Sequence, residues 1–219
     1  MITLLAVVLL SYLVGAIPWS LLVTRWVKGV DLRTVGSGNL GATNTFRALG
    51  AKWAVCVLAL DVGKGVVAPL GFARLRLDPP AVSAETLALL AALAAILGHI
   101  FPVYVGFRGG KGIATSAGAF LGLQPAACGI ASAAFALGLV ASRGIVSAGS
   151  LCAALALPVA VFALEQRSGS PALLPVLVAT GLAILIVFKH TSNIARLVRG
   201  QEKSIFRRDA TPPAGRPAG

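Results

Sequence analysis

Seven apolar runs, most of them near the length of a membrane-crossing helix, leave this chain one way to fold. Such runs are stable where water is absent, and there every peptide N–H and C=O has to be paired within the protein. They cover Ile2 to Thr24, Trp53 to Ala73, Leu87 to Val105, Ile113 to Leu121, Ala126 to Ala141, Ile145 to Leu164 and Leu173 to Phe188. They are rich in Leu, Ala, Val and Gly and lack the ten-residue alternation of a membrane strand, so helices are expected rather than a barrel. With 57% hydrophobic and 12% charged residues, against about 25% charged in soluble domains, a soluble globular fold is excluded. The expected class is all-α, a polytopic transmembrane helix bundle. Residues 1–208 read as one integral-membrane domain and 209–219 (DATPPAGRPAG) as a disordered cytoplasmic tail.

Topology turns on the fourth run. If Ile113 to Ala141 were one helix, the polar segments around Lys111 and His190 would face opposite sides; if Gly122 to Pro125 (GLQP) breaks it, they share a side. Lys and Arg accumulate on cytoplasmic loops. A seven-helix count puts Arg25, Lys28, Arg33, Arg47, Lys52, Arg108, Lys111, Arg143 and every basic residue from Lys189 onward inside, and only Arg74, Arg76 and Arg167 outside. Seven helices are therefore expected, with the N-terminus outside and the C-terminus cytoplasmic. The first run has no basic residue ahead of it, so it reads as a retained span rather than a cleaved leader. Gly118, Gly122, Ser11 and Gly15 are the candidate close helix contacts. Cys56, Cys128 and Cys152 sit inside apolar runs without metal-ligand spacing and are expected as buried small hydrophobes, and neither a disulfide nor a metal or other cofactor is implied.

Three polar segments interrupt the apolar pattern. Around Ser37 to Asn44 (SGNLGATN), Gly36, Gly38 and Gly41 match a dinucleotide-binding glycine pattern, but that needs a βαβ unit, and the neighbours here are membrane helices. A turn leading into a helix fits better: Ser37, Asn39, Thr43 and Asn44 offer donors beside the charge of Arg47. In Arg108 to Gly112 (RGGKG), glycines flank Lys111 immediately before a helix start, which lets backbone and cation approach an anion together. In Lys189 to Lys203 (KHTSNIARLVRGQEK), His190 and Asn193 share a helix face. An interfacial helix accounts for Lys189, Arg196 and Arg199 without chemistry, and Glu202 is expected to pair with Arg199. Asp61 and Lys64, within the membrane, should face inward and pair, with Lys64 either structural or lending its charge to a pocket above. His99 in its apolar helix reads as a hydrogen-bonded structural residue.

SGNLGATN, GHIFPVYVGFRGGKGIAT and KHTSNIARLVRGQEK, in this order, closely resemble the three motifs of the bacterial membrane-integral acylphosphate:glycerol-3-phosphate acyltransferases, the PlsY-type family. The resemblance runs from the first helix to about Phe206, and LDVGKG also fits. Leu40 stands where the family often has Pro, a change expected to loosen the first turn, Arg108 where Lys is common, and Lys189 where Arg is common. The resemblance implies transfer of a fatty acyl group from acyl phosphate to the 1-hydroxyl of glycerol 3-phosphate in the bacterial cytoplasmic membrane, without a covalent acyl-enzyme. It assigns catalytic roles to Ser37, Arg47, Lys111, His190 and Asn193. Gly38, Asn39, Asn44, Lys64, Gly109, Gly110, Gly112 and Ser147 complete the implied substrate-binding set.

Two other classes compete. A transporter of a phosphorylated solute would also use broken helices and Gly-flanked cations, but its site belongs at the bilayer midplane between paired repeats, and no repeat is evident. A membrane-tethered nucleic-acid binder would use the net charge of +12, which inside-positive topology already explains, and the loops lack stacking aromatics. The expected partners are acyl phosphate, glycerol 3-phosphate and membrane lipid, and nothing in the sequence calls for more than one copy of the chain.

Overall fold

A computed structural model describes residues 1–169 and 171–206; the expected tail at 209–219 lies outside the described residues. Ten α-helices occur among them: α1 Ile2–Gly15, α2 Trp19–Lys28, α3 Ala42–Leu49, α4 Ala51–Leu70, α5 Ala84–Ile100, α6 Ile113–Leu123, α7 Pro125–Ala141, α8 Val146–Arg167, α9 Leu173–Lys189 and α10 Thr191–Val198. The first apolar run divides because Pro18 has no N–H to continue the ladder; at the break the Ile17 carbonyl accepts from the Trp19 N–H at 3.0 Å and from Lys64 Nζ at 3.1 Å.

Among the described residues four helical stretches are long and apolar enough to cross a membrane: Ile2–Lys28, Ala51–Arg74, Ala84–Val105 and Val146–Arg167. A fifth is formed if α9 and α10, bent by 59° to one another, count as one span. The remaining two apolar helices, α6 and α7, are 11 and 17 residues long. The break between them falls at Gln124, whose non-helical backbone (φ −146°, ψ 78°) and following Pro125 end one helix and start the next. The Gln124 amide donates to Glu165 Oε1 at 2.7 Å, tying this turn to the end of α8. The Thr3 N–H donates to Asp78 Oδ1 at 2.9 Å, which joins the start of α1 to the loop that follows α4.

Helices approach closely where side chains are missing. A Cβ on Gly118 of α6 would collide with the Val62 carbonyl of α4, one on Gly65 of α4 with the Thr115 carbonyl, and one on Gly15 of α1 with the Ala95 backbone of α5. Ser11 is fully buried on the same face as Gly15, and a Cβ on Gly122 would meet Pro69 and Leu70. In hydrocarbon, where helix association rests on van der Waals contact and not on expulsion of water, these small residues set the packing. Around Ile96, Ile100, Phe120 and Leu157 the helices enclose the largest buried cluster. Asp61 and Lys64 of α4 pair with each other at 2.9 Å, both nearly inaccessible. Of the cysteines only Cys128 is buried; Cys56 and Cys152 are exposed, Cys152 at the edge of the α7–α8 contact, where it lies against Gly138.

Gly118→Ala is expected to cost about 1–3 kcal/mol through overpacking. A lower Tm in detergent checks this, with Gly129→Ala as the control, whose Cβ would meet open space.

Candidate active site

A polar cavity of about 160 Å³ sits where four helix N-termini converge. It is lined by Gly41, Ala42 and Thr43 at the start of α3, Gly112, Ile113 and Ala114 at the start of α6, Val146 and Ser147 at the start of α8, and His190 and Asn193 at the start of α10. The first N–H groups of a helix have no acceptor within it, and the aligned peptide dipoles make that end positive. No side chain caps any of the four. A cavity at four such ends is suited to anions before any charged side chain is counted.

Asn44 builds the first wall. It is buried, accepts from the Ser37 N–H at 3.1 Å through Oδ1, and donates from Nδ2 to the Leu32 carbonyl at 3.2 Å and the Val35 carbonyl at 3.0 Å. Gly36 adopts φ +62°, and a Cβ there would strike the Asn44 Oδ1 atom. The Asn44 amide is thereby spent on holding Ser37 and Asn39 at the cavity, and Arg47 follows on the same helix. Leu40, expected to loosen this turn, anchors it by packing against Leu21 and Leu32.

Lys111 reaches into the cavity from the second segment and donates to Asn193 Oδ1. This bond brings the second and third polar segments together. Gly109 and Gly110 do something different from cradling a ligand: their N–H groups donate to the Ile100 and His99 carbonyls at 3.2 and 3.1 Å, and a Cβ on Gly110 would collide with the His99 ring. They let the loop lie flat on the end of α5.

His190 is 2% exposed, with Nδ1 2.8 Å from the Ile186 carbonyl. A carbonyl only accepts, so Nδ1 carries the proton, and in the neutral ring Nε2 is the lone-pair nitrogen. Glu202 completes the third segment. Its partner is Arg196 at 2.5 Å, not Arg199, and it also accepts from Asn193 Nδ2 at 2.5 Å and Ser147 Oγ at 2.9 Å. The chain doubles back after α10, with the Ile205 N–H donating to the Gly144 carbonyl at 3.0 Å, which carries Glu202 to Arg196 rather than along a helix to Arg199.

Of the residues singled out from sequence, the cavity brings together Ser37, Asn39, Asn44, Arg47, Lys111, Gly112, Ser147, His190 and Asn193. Gly38, Lys64, Gly109 and Gly110 are not in its lining. Asp61, His99, Ser150 and Glu202 are, and beyond the intramembrane charge of Asp61 and the motif position of His99 no local signal pointed to their convergence. Among the described residues no group of three or more His, Cys, Asp or Glu is placed to hold a metal ion. An apolar cavity of about 300 Å³ adjoins the polar one and shares Leu58, Ile113, Ala114 and Phe135 with it.

Residues 5–200 match the family model for glycerol-3-phosphate acyltransferase. The glycerol-3-phosphate acyltransferase of Shouchella clausii is 43% identical over 212 residues, covering 95% of this chain and 99% of that one. That of Geobacter sulfurreducens is 41% identical, covering 88% and 92%. The chain belongs to the PlsY-type glycerol-3-phosphate acyltransferase family. The fold matches the crystal structure of PlsY, an integral membrane glycerol 3-phosphate acyltransferase, in its glycerol 3-phosphate form, with a TM-score of 0.77, 33% identity and coverage of 92% of this chain and 94% of that one. The lysophosphatidic acid form gives a TM-score of 0.73 at 32% identity, with the same coverage.

In this PlsY-type cavity the two ionisable groups joined through Asn193 are both shifted downwards, which weakens the charge of Lys111 and strengthens that of Glu202. Burial, with the charges of Arg196 and Arg47 adding to it and Glu202 opposing, brings the Lys111 ammonium down to about 8. Burial pushes the Glu202 carboxyl up, but hydrogen bonds from Arg196, Asn193 and Ser147 outweigh it and hold the group below the ordinary glutamate value. Lys111 therefore carries its charge below about pH 8 and loses it above, whereas in the unfolded chain it stays charged to about 10.5. Between these values the unfolded state binds more protons, so this group's contribution to stability rises with pH while its contribution to anion binding falls. Affinity for inorganic phosphate, followed by calorimetry, is expected to drop as pH rises through about 8. In Lys111→Arg, whose guanidinium keeps its proton, that drop should disappear.

Proposed function

We propose that this protein transfers a fatty acyl group from acyl phosphate to the 1-hydroxyl of glycerol 3-phosphate, giving lysophosphatidate and inorganic phosphate. The observation that carries the reading is the pairing of cavities: an anion-attracting chamber at four helix N-termini adjoins an apolar chamber through Leu58, Ile113, Ala114 and Phe135. An acyl phosphate is half of each kind, and the acyl carbonyl would lie at the junction. Family membership supports the acceptor and the reaction class.

In the step itself the hydroxyl oxygen attacks the acyl carbonyl carbon, a C–O ester bond forms, and the C–O bond to phosphate breaks. The hydroxyl proton passes to the departing phosphate, so no residue has to be acylated and no net proton is left on the enzyme. Acyl phosphate is already activated, and what the reaction needs is two dianions held close and charge stabilised on the leaving phosphate. Arg47, Lys111 and the N–H groups at the starts of α3 and α6 would neutralise the phosphates, Ser37 and Ser147 would donate to their oxygens, and His190 and Asn193 would orient the reacting groups. We further propose that all seven apolar segments cross the membrane, α6 and α7 as a short pair shielded by α4 and α8, with the cavity on the cytoplasmic side. The bias of Lys and Arg towards that face supports this orientation, and a cavity gathered at four helix N-termini favours an enzyme over a transporter, whose site belongs at the midplane.

Purified protein given acyl phosphate and glycerol 3-phosphate should release phosphate in step with lysophosphatidate. Arg47→Ala and Lys111→Ala should each lower kcat at least about 10²-fold, the loss of one electrostatic stabiliser, and near-normal turnover by a correctly inserted Lys111→Ala protein would exclude its role. Ala154, buried on the wall of the apolar chamber, tests the other half. Ala154→Phe should raise KM for long-chain donors and leave KM for glycerol 3-phosphate unchanged.

A further inference from the structure

Three helices agree on the depth of the apolar chamber. On α6 its lining runs from Ile113, shared with the polar chamber, to Phe120; on α7 it runs from Phe135, also shared, back to Cys128; on α8 the polar lining ends at Ser150 and the apolar lining at Leu157. In each case the two residues are seven apart, which at the rise of an α-helix is about 10 Å. The far end is closed. Phe120 and Leu157 are 2% and 6% exposed, and with Cys128 they belong to the largest buried cluster, which continues one turn further along α8 with Ala160 and Val161. The side is open. Ala154 on α8 and Ile186 on α9 are buried, whereas Leu58 of α4 is 45% exposed and Ser132 of α7 is exposed too, and all four line the chamber. α4 packs on α6 and α7 on α8, but α4 and α7 do not pack closely on each other.

We infer that the protein holds only about the first eight carbons of the donor's acyl chain, and that Phe120, Cys128 and Leu157 turn the remainder out between Leu58 and Ser132 into the lipid. The inference rests on the acyl-transfer reading, which puts the acyl carbonyl at the junction of the two chambers. Carbon–carbon bonds of about 1.5 Å at tetrahedral angles advance an extended chain by about 1.3 Å per carbon, so a depth of about 10 Å takes about eight. A longer chain then meets packed side chains ahead and an open side between two helices. Lipid receives it without penalty, because hydrocarbon lies on both sides of the step. Selectivity divides at the same point. A chain drawn from the bilayer gains no hydrophobic free energy on entering the protein, only close contact with the walls, so donors are told apart by their first carbons and not by what lies beyond.

Narrowing the side opening tests this. Ser132→Trp should lower kcat/KM for palmitoyl phosphate at least about tenfold, the scale of an overpacked site, while hexanoyl phosphate, short enough to stay inside, keeps most of its rate. Leu137→Trp, on the same helix at a 72% exposed position outside the lining, should affect neither donor. Equal losses for the two donors in Ser132→Trp, or no loss for palmitoyl phosphate, overturn the inference. If that variant fails to insert, photolabelling of the wild type in lipid vesicles decides. Lysophosphatidate with a diazirine on the fifth acyl carbon should label the walls of the chamber, and with the diazirine on the fourteenth it should label lipid or the outer faces of α4 and α7. Labelling of the buried cluster behind Phe120 and Leu157 by the fourteenth-carbon probe overturns the assignment. A wild-type protein that transfers neither acyl group sinks the acyl-transfer reading itself, a separate failure.

Discussion

Inside hydrocarbon every peptide group has to be paired within its own helix, so unspent backbone donors survive only where helices begin. Everything about the cavity depends on that constraint. Four helices start at the same place, and their dipoles and free N–H groups add before Arg47 or Lys111 contributes. The break at Gln124 is what brings them there. It turns one apolar run into two antiparallel pieces, α6 and α7, and so returns the chain to the face at which Lys111 meets Asn193.

The polar groups around the cavity fall into two sets. Some are spent on building: the Asn44 amide holds the first turn, the N–H groups of Gly109 and Gly110 hold the loop to α5, and the Ile186 carbonyl fixes the His190 ring. Others face the chamber, among them Arg47, Ser37 and Asn39. Glu202 stands between the sets. It ties Ser147, Asn193 and Arg196 together, and its negative charge lies close enough to Lys111 to oppose the effect of burial on that lysine.

Much of this was legible beforehand, for reasons that differ by element. The spans around α4, α5, α8 and α9 were visible because a run of apolar residues in a membrane protein needs no tertiary partner to be a helix. The pairing of Asp61 with Lys64 followed from their spacing of three residues and the cost of isolating either. The extra break at Pro18, the 59° bend between α9 and α10, and the exposure of Cys56 and Cys152 did not follow, since each depends on which face a neighbour covers. Residues with strong motif neighbours, such as Lys111 and His190, were easy to nominate, whereas Gly38, Lys64, Gly109 and Gly110 were nominated for the same reason and lie outside the chamber.

Composition, the lengths of the apolar runs and the placement of Lys and Arg were enough to establish a helical membrane protein with three polar segments, because hydrophobicity and helix geometry are properties of local sequence. Which glycine frees a ligand site and which merely lets two backbones touch, that Glu202 turns to Arg196, and that Asp61 and His99 line the same chamber were decided only by the tertiary structure. Those outcomes depend on the position and direction of atoms many residues apart, and local sequence carries no record of such distances.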